Sequence, residues 1–160
     1  MLMTELLLSH IPSTLLHILT GLLVADLLFK GPDFHNRKAR FVLLGGVGVI
    51  VLMPDLPKLF GVLIGHSLIT VPLIAAFFAI FTRALLTMTF FPIWWRLTLV
   101  LVVSALGIDY LGNGVHLFYP VTGATYGLSL IRYEFFYILP VSILLFIQLR
   151  KGTSVRHRNT

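Results

Sequence analysis

Two histidines and two aspartates stand at places where an otherwise apolar sequence has no ordinary use for them. They are His17, Asp55 in Met53-Pro54-Asp55-Leu56-Pro57-Lys58, His66 in Gly65-His66-Ser67, and Asp109 before Tyr110-Leu111-Gly112-Asn113. Two imidazoles and two carboxylates are a mixed nitrogen and oxygen ligand set that suits a divalent cation such as zinc or manganese, the carboxylates neutralising its charge. An ion so held lowers the pKa of bound water towards about 7 and polarises a phosphoryl or carbonyl oxygen. Hydrolysis then needs no nucleophilic side chain. Asp55, His66 and Asp109 are the expected catalytic residues and, with His17, the expected metal ligands. Ser67 and His116 are candidates for orienting substrate or shuttling a proton. Taken singly, each residue has a plainer explanation. Asp55 between two prolines suits a turn or a cap, His17 a packing contact, His66-Ser67 a helix start and Asp109 a turn. Their coincidence is what points to a site. Asp26 has a simple partner in Lys30, four residues on. The chain has no cysteine, which excludes thiolate sites, and it lacks the G-x-S-x-G, Walker A and H-E-x-x-H patterns.

The elements that must position these residues follow from composition. The 160 residues are 58% hydrophobic and 11% charged, with a mean hydropathy of +0.97, against roughly a quarter charged in an ordinary soluble domain. The composition therefore predicts an all-α integral membrane protein, one helical domain over residues 1–149 followed by a basic cytoplasmic tail, 150–160. Five spans are expected: Ile11 to Phe29, Phe41 to Met53, His66 to Thr82 (extending as far as Phe91), Leu97 to Asp109, and Phe135 to Leu149. The segment from Ala84 to Trp95 either lies along the surface or prolongs the third span. Tyr110 to Ile131, punctuated by Gly112, Gly114, Pro120, Gly123 and Gly127, is expected to be a re-entrant or irregular loop.

Five antiparallel crossings gather ten of the twelve bases on one side, leaving Lys58 and Arg132 opposite. The positive-inside rule then puts the tail in the cytoplasm and the N-terminus outside, with Trp94 and Trp95 in an interfacial belt. MLMTELLLSH has no basic n-region, so the first run is expected to stay as a helix. The net charge of +6 comes from bases between apolar runs, which argues for membrane topology and against nucleic acid. Membrane lipids are the expected partners. The second and fourth spans, at about thirteen residues, reach roughly 20 Å of a 30 Å hydrocarbon layer. Asp55 and Asp109 are thus expected in a cavity near the outer face, at a depth that His17, about 9 Å into the first span, can also reach.

These motifs resemble the YdjM-like family of membrane-bound metal-dependent hydrolases of bacterial inner membranes. That family has an early helix with a His, a Leu-Pro-Asp-x-Asp turn, a Thr-His-Ser helix start and a late Asp followed by a Gly-containing loop ending in an aromatic residue and Pro. The counterparts are His17, Met53-Pro54-Asp55, Gly65-His66-Ser67, and Asp109-Tyr110-Leu111 leading through Gly114-Val115-His116-Leu117-Phe118 to Tyr119-Pro120. The chain departs from the family at Pro57, at Gly61-Val62-Leu63 and at Ala105, where further family ligands would fall. The resemblance implies a metal-dependent hydrolase with a reduced ligand set and says nothing of its substrate; the expected position of the site, near the outer face, is what points to a lipid-linked or amphiphilic ester or phosphoester. The buried acids would also suit a transporter or proton-coupled carrier, and a degenerate site would suit a non-catalytic scaffold. Asp55, Gly61, His66 and Asp109, Gly114, His116 give only a faint internal repeat.

Overall fold

The computed structural model describes residues 3–57, 63–131 and 133–154. It contains five helices and, among the described residues, no strand. They are α1 (Met3–Leu28), α2 (Arg37–Ile50), α3 (Thr70–Thr82), α4 (Phe90–Leu111) and α5 (Phe135–Ser154). The connection after α1 meets the connection after α3, through a Phe34–Leu86 bridge and the bond from Thr87 N to the Asp33 carbonyl (2.8 Å). At the other end, the close of α2, the start of α3 and the close of α4 come together. The first four helices therefore alternate in direction. The core between them is apolar, with Phe29, Leu43, Val47, Val71, Ala75, Ile93, Leu97 and Leu101 buried.

The helix boundaries have local causes. Asn36 opens α2 by accepting a hydrogen bond from Ala39 N (2.8 Å), which satisfies one of the donors a helix start leaves over. α4 begins seven residues before the expected fourth span. Pro92 is its third residue, where the missing N–H costs nothing because first-turn donors have no partner within the helix. The Ala84 to Trp95 stretch is thus divided: Arg83–Leu85 form a 3₁₀ turn, and Phe90 onward belongs to α4. The fourth helix consequently has 22 residues, about 33 Å at the helical rise, in place of the thirteen expected. Ile11–Leu28 and Phe90–Leu111 are long and apolar enough to cross a membrane, while Thr70–Leu85 and Phe135–Arg150 are apolar but shorter. The expected loop from Tyr110 to Ile131 is irregular beyond Leu111, held by a Val115–Tyr126 bridge and by bonds from Leu128 N to Tyr110 O and from Leu130 N and Ile131 N to Leu111 O.

The end that carries the first and third connections is polar and cross-linked. Asp26, 5% exposed, accepts from Arg40 Nε at 2.9 Å and Nη2 at 2.5 Å, so its partner lies on α2 and not, as the spacing suggested, at Lys30. Arg96 reaches back along α4 to Asp33 (2.7 Å) over the Phe29 ring, its stem crossing apolar surface and its head at the polar end. Removing one partner of a buried charge pair strands the other. Asp26→Ala is therefore expected to lower stability by about 3 kcal/mol, and Lys30→Ala by much less. Thermal unfolding of the two variants in detergent checks this, and equal effects would return the partnership to Lys30.

Candidate metal centre

The site is built on a proline, a glycine and a carbonyl. After Ile50 the chain tightens into i→i+3 bonds, Leu52 N to Val49 O, Met53 N to Ile50 O and Asp55 N to Leu52 O, at 3.0–3.1 Å. His66 Nδ1 lies 2.8 Å from the Pro54 carbonyl oxygen. Gly65 makes that approach possible, since a Cβ there would stand 2.2 Å from the same oxygen. A carbonyl only accepts, so Nδ1 carries the proton. In the neutral ring, Nε2 is then a lone pair aimed into the bundle.

That lone pair meets two carboxylates. Nε2 is 3.0 Å from Asp109 Oδ2 and 3.3 Å from Asp55 Oδ1, yet it is buried without a hydrogen bond among the described residues, as two acceptors facing each other would be. One ligand atom from each of Asp55, His66 and Asp109 can be chosen so that all three lie within 4.8 Å of one another. Two carboxylates and an imidazole lone pair this close repel unless a proton or a metal cation lies among them. The three atoms can hold a metal ion, and the orphaned Nε2 is what such an ion would satisfy. Three protein ligands would leave a coordination position open, as catalytic zinc sites do. The opening is on the Asp55 side, whose side chain is 36% exposed against 1% for His66 and 7% for Asp109.

Asp109 is carried into place by an irregularity in α4. Residues Val102–Gly107 form a π-helical segment, which inserts an extra residue and turns whatever follows. The segment packs against α1 at Gly21, where a Cβ would come within 2.5 Å of Val51 Cγ2 and 3.4 Å of Ser104 Oγ. One turn earlier on α1, His17 places Nε2 at 3.2 Å from Asp109 Oδ1. Asp109 thus presents one oxygen to each histidine. His17 is outside the three-atom group and reaches it through this carboxylate, the outer position from which a donor fixes a ligand's orientation.

The other two sequence candidates are engaged elsewhere. Ser67 is fully buried, and its Oγ accepts from Thr70 N (3.1 Å) and pairs with Thr70 Oγ1 (3.0 Å), capping α3. His116 turns Nδ1 to the Gly123 carbonyl (3.1 Å) in the long loop. That loop does reach the site, because Leu68 N bonds to the Leu117 carbonyl (2.9 Å). Sequence reasoning missed the Pro54 carbonyl, Gly65 and the π segment. Gly65 had a visible signal in standing directly before His66, whereas nothing in Val102–Gly107 announces a π turn.

Gly65→Ala is expected to push the Pro54 carbonyl off His66 and to weaken metal binding about 10- to 100-fold with helix content unchanged. Titration with Mn²⁺ alongside circular dichroism measures both, and unchanged affinity would remove the carbonyl from the site's support. No family model, curated protein or solved structure matches this chain.

Proposed function

We propose that this chain is an integral membrane, metal-dependent hydrolase whose centre lies near the outer face of a bacterial cytoplasmic membrane and acts on a lipid-linked or amphiphilic ester or phosphoester. The convergence of Asp55, His66 and Asp109 on a buried, orphaned Nε2 carries the reading. An intramembrane ionisable residue is a functional site by default because burying it without a purpose is costly, and this bundle buries His17, His66 and Asp109 within reach of one another.

The membrane reading draws on the surface. Leu73, Phe77, Phe81, Phe91 and Leu139 are each more than half exposed, a coat that water would penalise and lipid tails would not. Bases cluster at the polar end, around Arg37, Lys38, Arg83 and Arg96, away from the acid and histidine centre. With the positive-inside rule, that end faces the cytoplasm and the N-terminus faces out. The resemblance to YdjM-like hydrolases in motif order supports the reaction class.

Asp55, His66 and Asp109 would hold the ion, zinc or manganese, and when bound it would supply a Lewis acid and an acidified water. The chain's own contribution is positional. His17 on Oδ1 keeps Asp109 Oδ2 turned to His66, and the Pro54 carbonyl keeps the proton of His66 on Nδ1 and its Nε2 free for the ion. Asp55, the most exposed ligand, faces the side from which substrate enters.

Elemental analysis of purified protein is expected to give about one divalent ion per chain, with Asp55→Asn and His66→Ala losing most of it. Hydrolysis of dodecyl p-nitrophenyl phosphate should fall at least about 100-fold on chelation, a size ordinary for loss of a catalytic group, and return with Zn²⁺ or Mn²⁺. Wild-type protein that is folded and takes up no metal would sink the proposal. Metal uptake without hydrolysis, joined to proton flux in liposomes that Asp109→Asn abolishes, would favour a carrier.

A further inference from the structure

The opening of the site has a composition of its own. Leu56 follows Asp55 directly, and Ile64, Leu68 and Ile69 flank His66; they are 43%, 44%, 41% and 50% exposed. The long loop, tied to this rim by the Leu68–Leu117 bond, adds Phe118 at 47%. In the described segments that reach the site, 55–57, 63–69 and 110–118, Asp55 is the only acid and there is no Lys or Arg. A hydrophilic substrate would ordinarily be met at such a mouth by charged or hydrogen-bonding side chains. Here a buried, charged centre opens through an aliphatic and aromatic rim.

Resting on the reading above, we propose that Leu56, Ile64, Leu68, Ile69 and Phe118 form a specificity mouth that binds the alkyl chain of an amphiphile while its phosphoryl or carboxyl-ester head meets the Asp55–His66–Asp109 centre. The recognition is divided by chemistry. The described segments bring no Lys or Arg to an anionic head, and the ion that the three ligands would hold supplies a positive charge for it. The alkyl chain lies against these five apolar side chains, with Asn113 and His116 the polar neighbours in the loop, so affinity rises with chain length as each methylene leaves water. The loop further exposes Val121, Leu128 and Leu130, and Tyr133, Phe135 and Phe136 are exposed where α5 begins. In a bilayer such exposed apolar side chains would lie against lipid, which is where an alkyl chain would come from.

The test uses full-length protein in nanodiscs loaded with Mn²⁺, and ethylphosphonate and dodecylphosphonate as non-hydrolysable probes, with partition into empty nanodiscs subtracted. Wild type is expected to bind the dodecyl compound at least about tenfold more tightly than the ethyl one. Leu68→Asn with Ile69→Asn should reduce that preference to about twofold while leaving the Mn²⁺ affinity unchanged, and Leu68→Met with Ile69→Val should keep it. Leu56→Asn, on a different segment, gives the same reading if the double variant fails to fold. Equal binding of both phosphonates by Mn²⁺-loaded wild type would overturn the mouth and leave the metal centre standing. Failure to take up Mn²⁺ at all would overturn both. A chain-length preference that survives every rim substitution would also overturn the assignment to these residues.

Discussion

A carboxylate with an imidazole nitrogen on each of its oxygens, left 6% exposed inside an apolar bundle, persists only where its charge is matched and its lone pairs are used. Asp109 is that group. His17 from α1 takes one oxygen, His66 from the start of α3 faces the other, and Asp55 from the close of α2 stands across the same nitrogen. Four of the five helices are thereby committed to one point. This convergence constrains more than the site, because each helix must arrive with a specified residue at a specified depth. The tight contacts follow from this: α1 can bring His17 close to Asp109 only by laying Gly21 against Val51 and Ser104, and the chain can bring His66 under Pro54 only because Gly65 has no side chain.

The two ends of the bundle solve opposite problems. At the polar end, connections 29–36 and 83–89 bond to each other, and Asp26–Arg40 and Asp33–Arg96 neutralise their own charge. These pairs need nothing from outside. At the other end the histidines and carboxylates are close without completing one another, since His66 Nε2 is left without a hydrogen bond. The polar end closes its charge in Asp–Arg pairs, whereas at the other end a buried histidine nitrogen has no hydrogen bond among the described residues. That contrast distinguishes a structural pair from a binding centre better than the presence of buried charge does.

Much of the site was legible because apolar sequence makes each polar residue conspicuous. Asp55, His66 and Asp109 stood out against their surroundings, and the order of helices followed from the length of the apolar runs. What was not legible depended on groups without distinctive side chains. A backbone carbonyl at Pro54 has no sequence signature as a hydrogen-bond acceptor. The partner of Asp26 was misjudged because local spacing favours Lys30, while packing brings Arg40 to it from fourteen residues away. The start of α4 lies before the charge-free run that begins at Leu97, because Arg96 is a residue of the helix. Its guanidinium does sit at the edge, reached by a long side chain from a backbone position inside the helix.

The π segment in α4 has a bearing on how such a protein can change. In a regular helix each residue advances the face by about 100°, so the side of α4 that carries Ile93, Leu97 and Leu101 into the core would fix the direction of Asp109 as well. The wide turn at Val102–Gly107 breaks that phase relation. The lower half of the helix answers to its packing against α3 and to the salt bridge at Asp33, and the upper half answers to the two histidines. Substitutions that adjust packing in one half need not rotate the ligand in the other. A single inserted residue has in effect divided one helix into an anchoring part and a part that sets Asp109, each free to vary in sequence without dragging the other out of register.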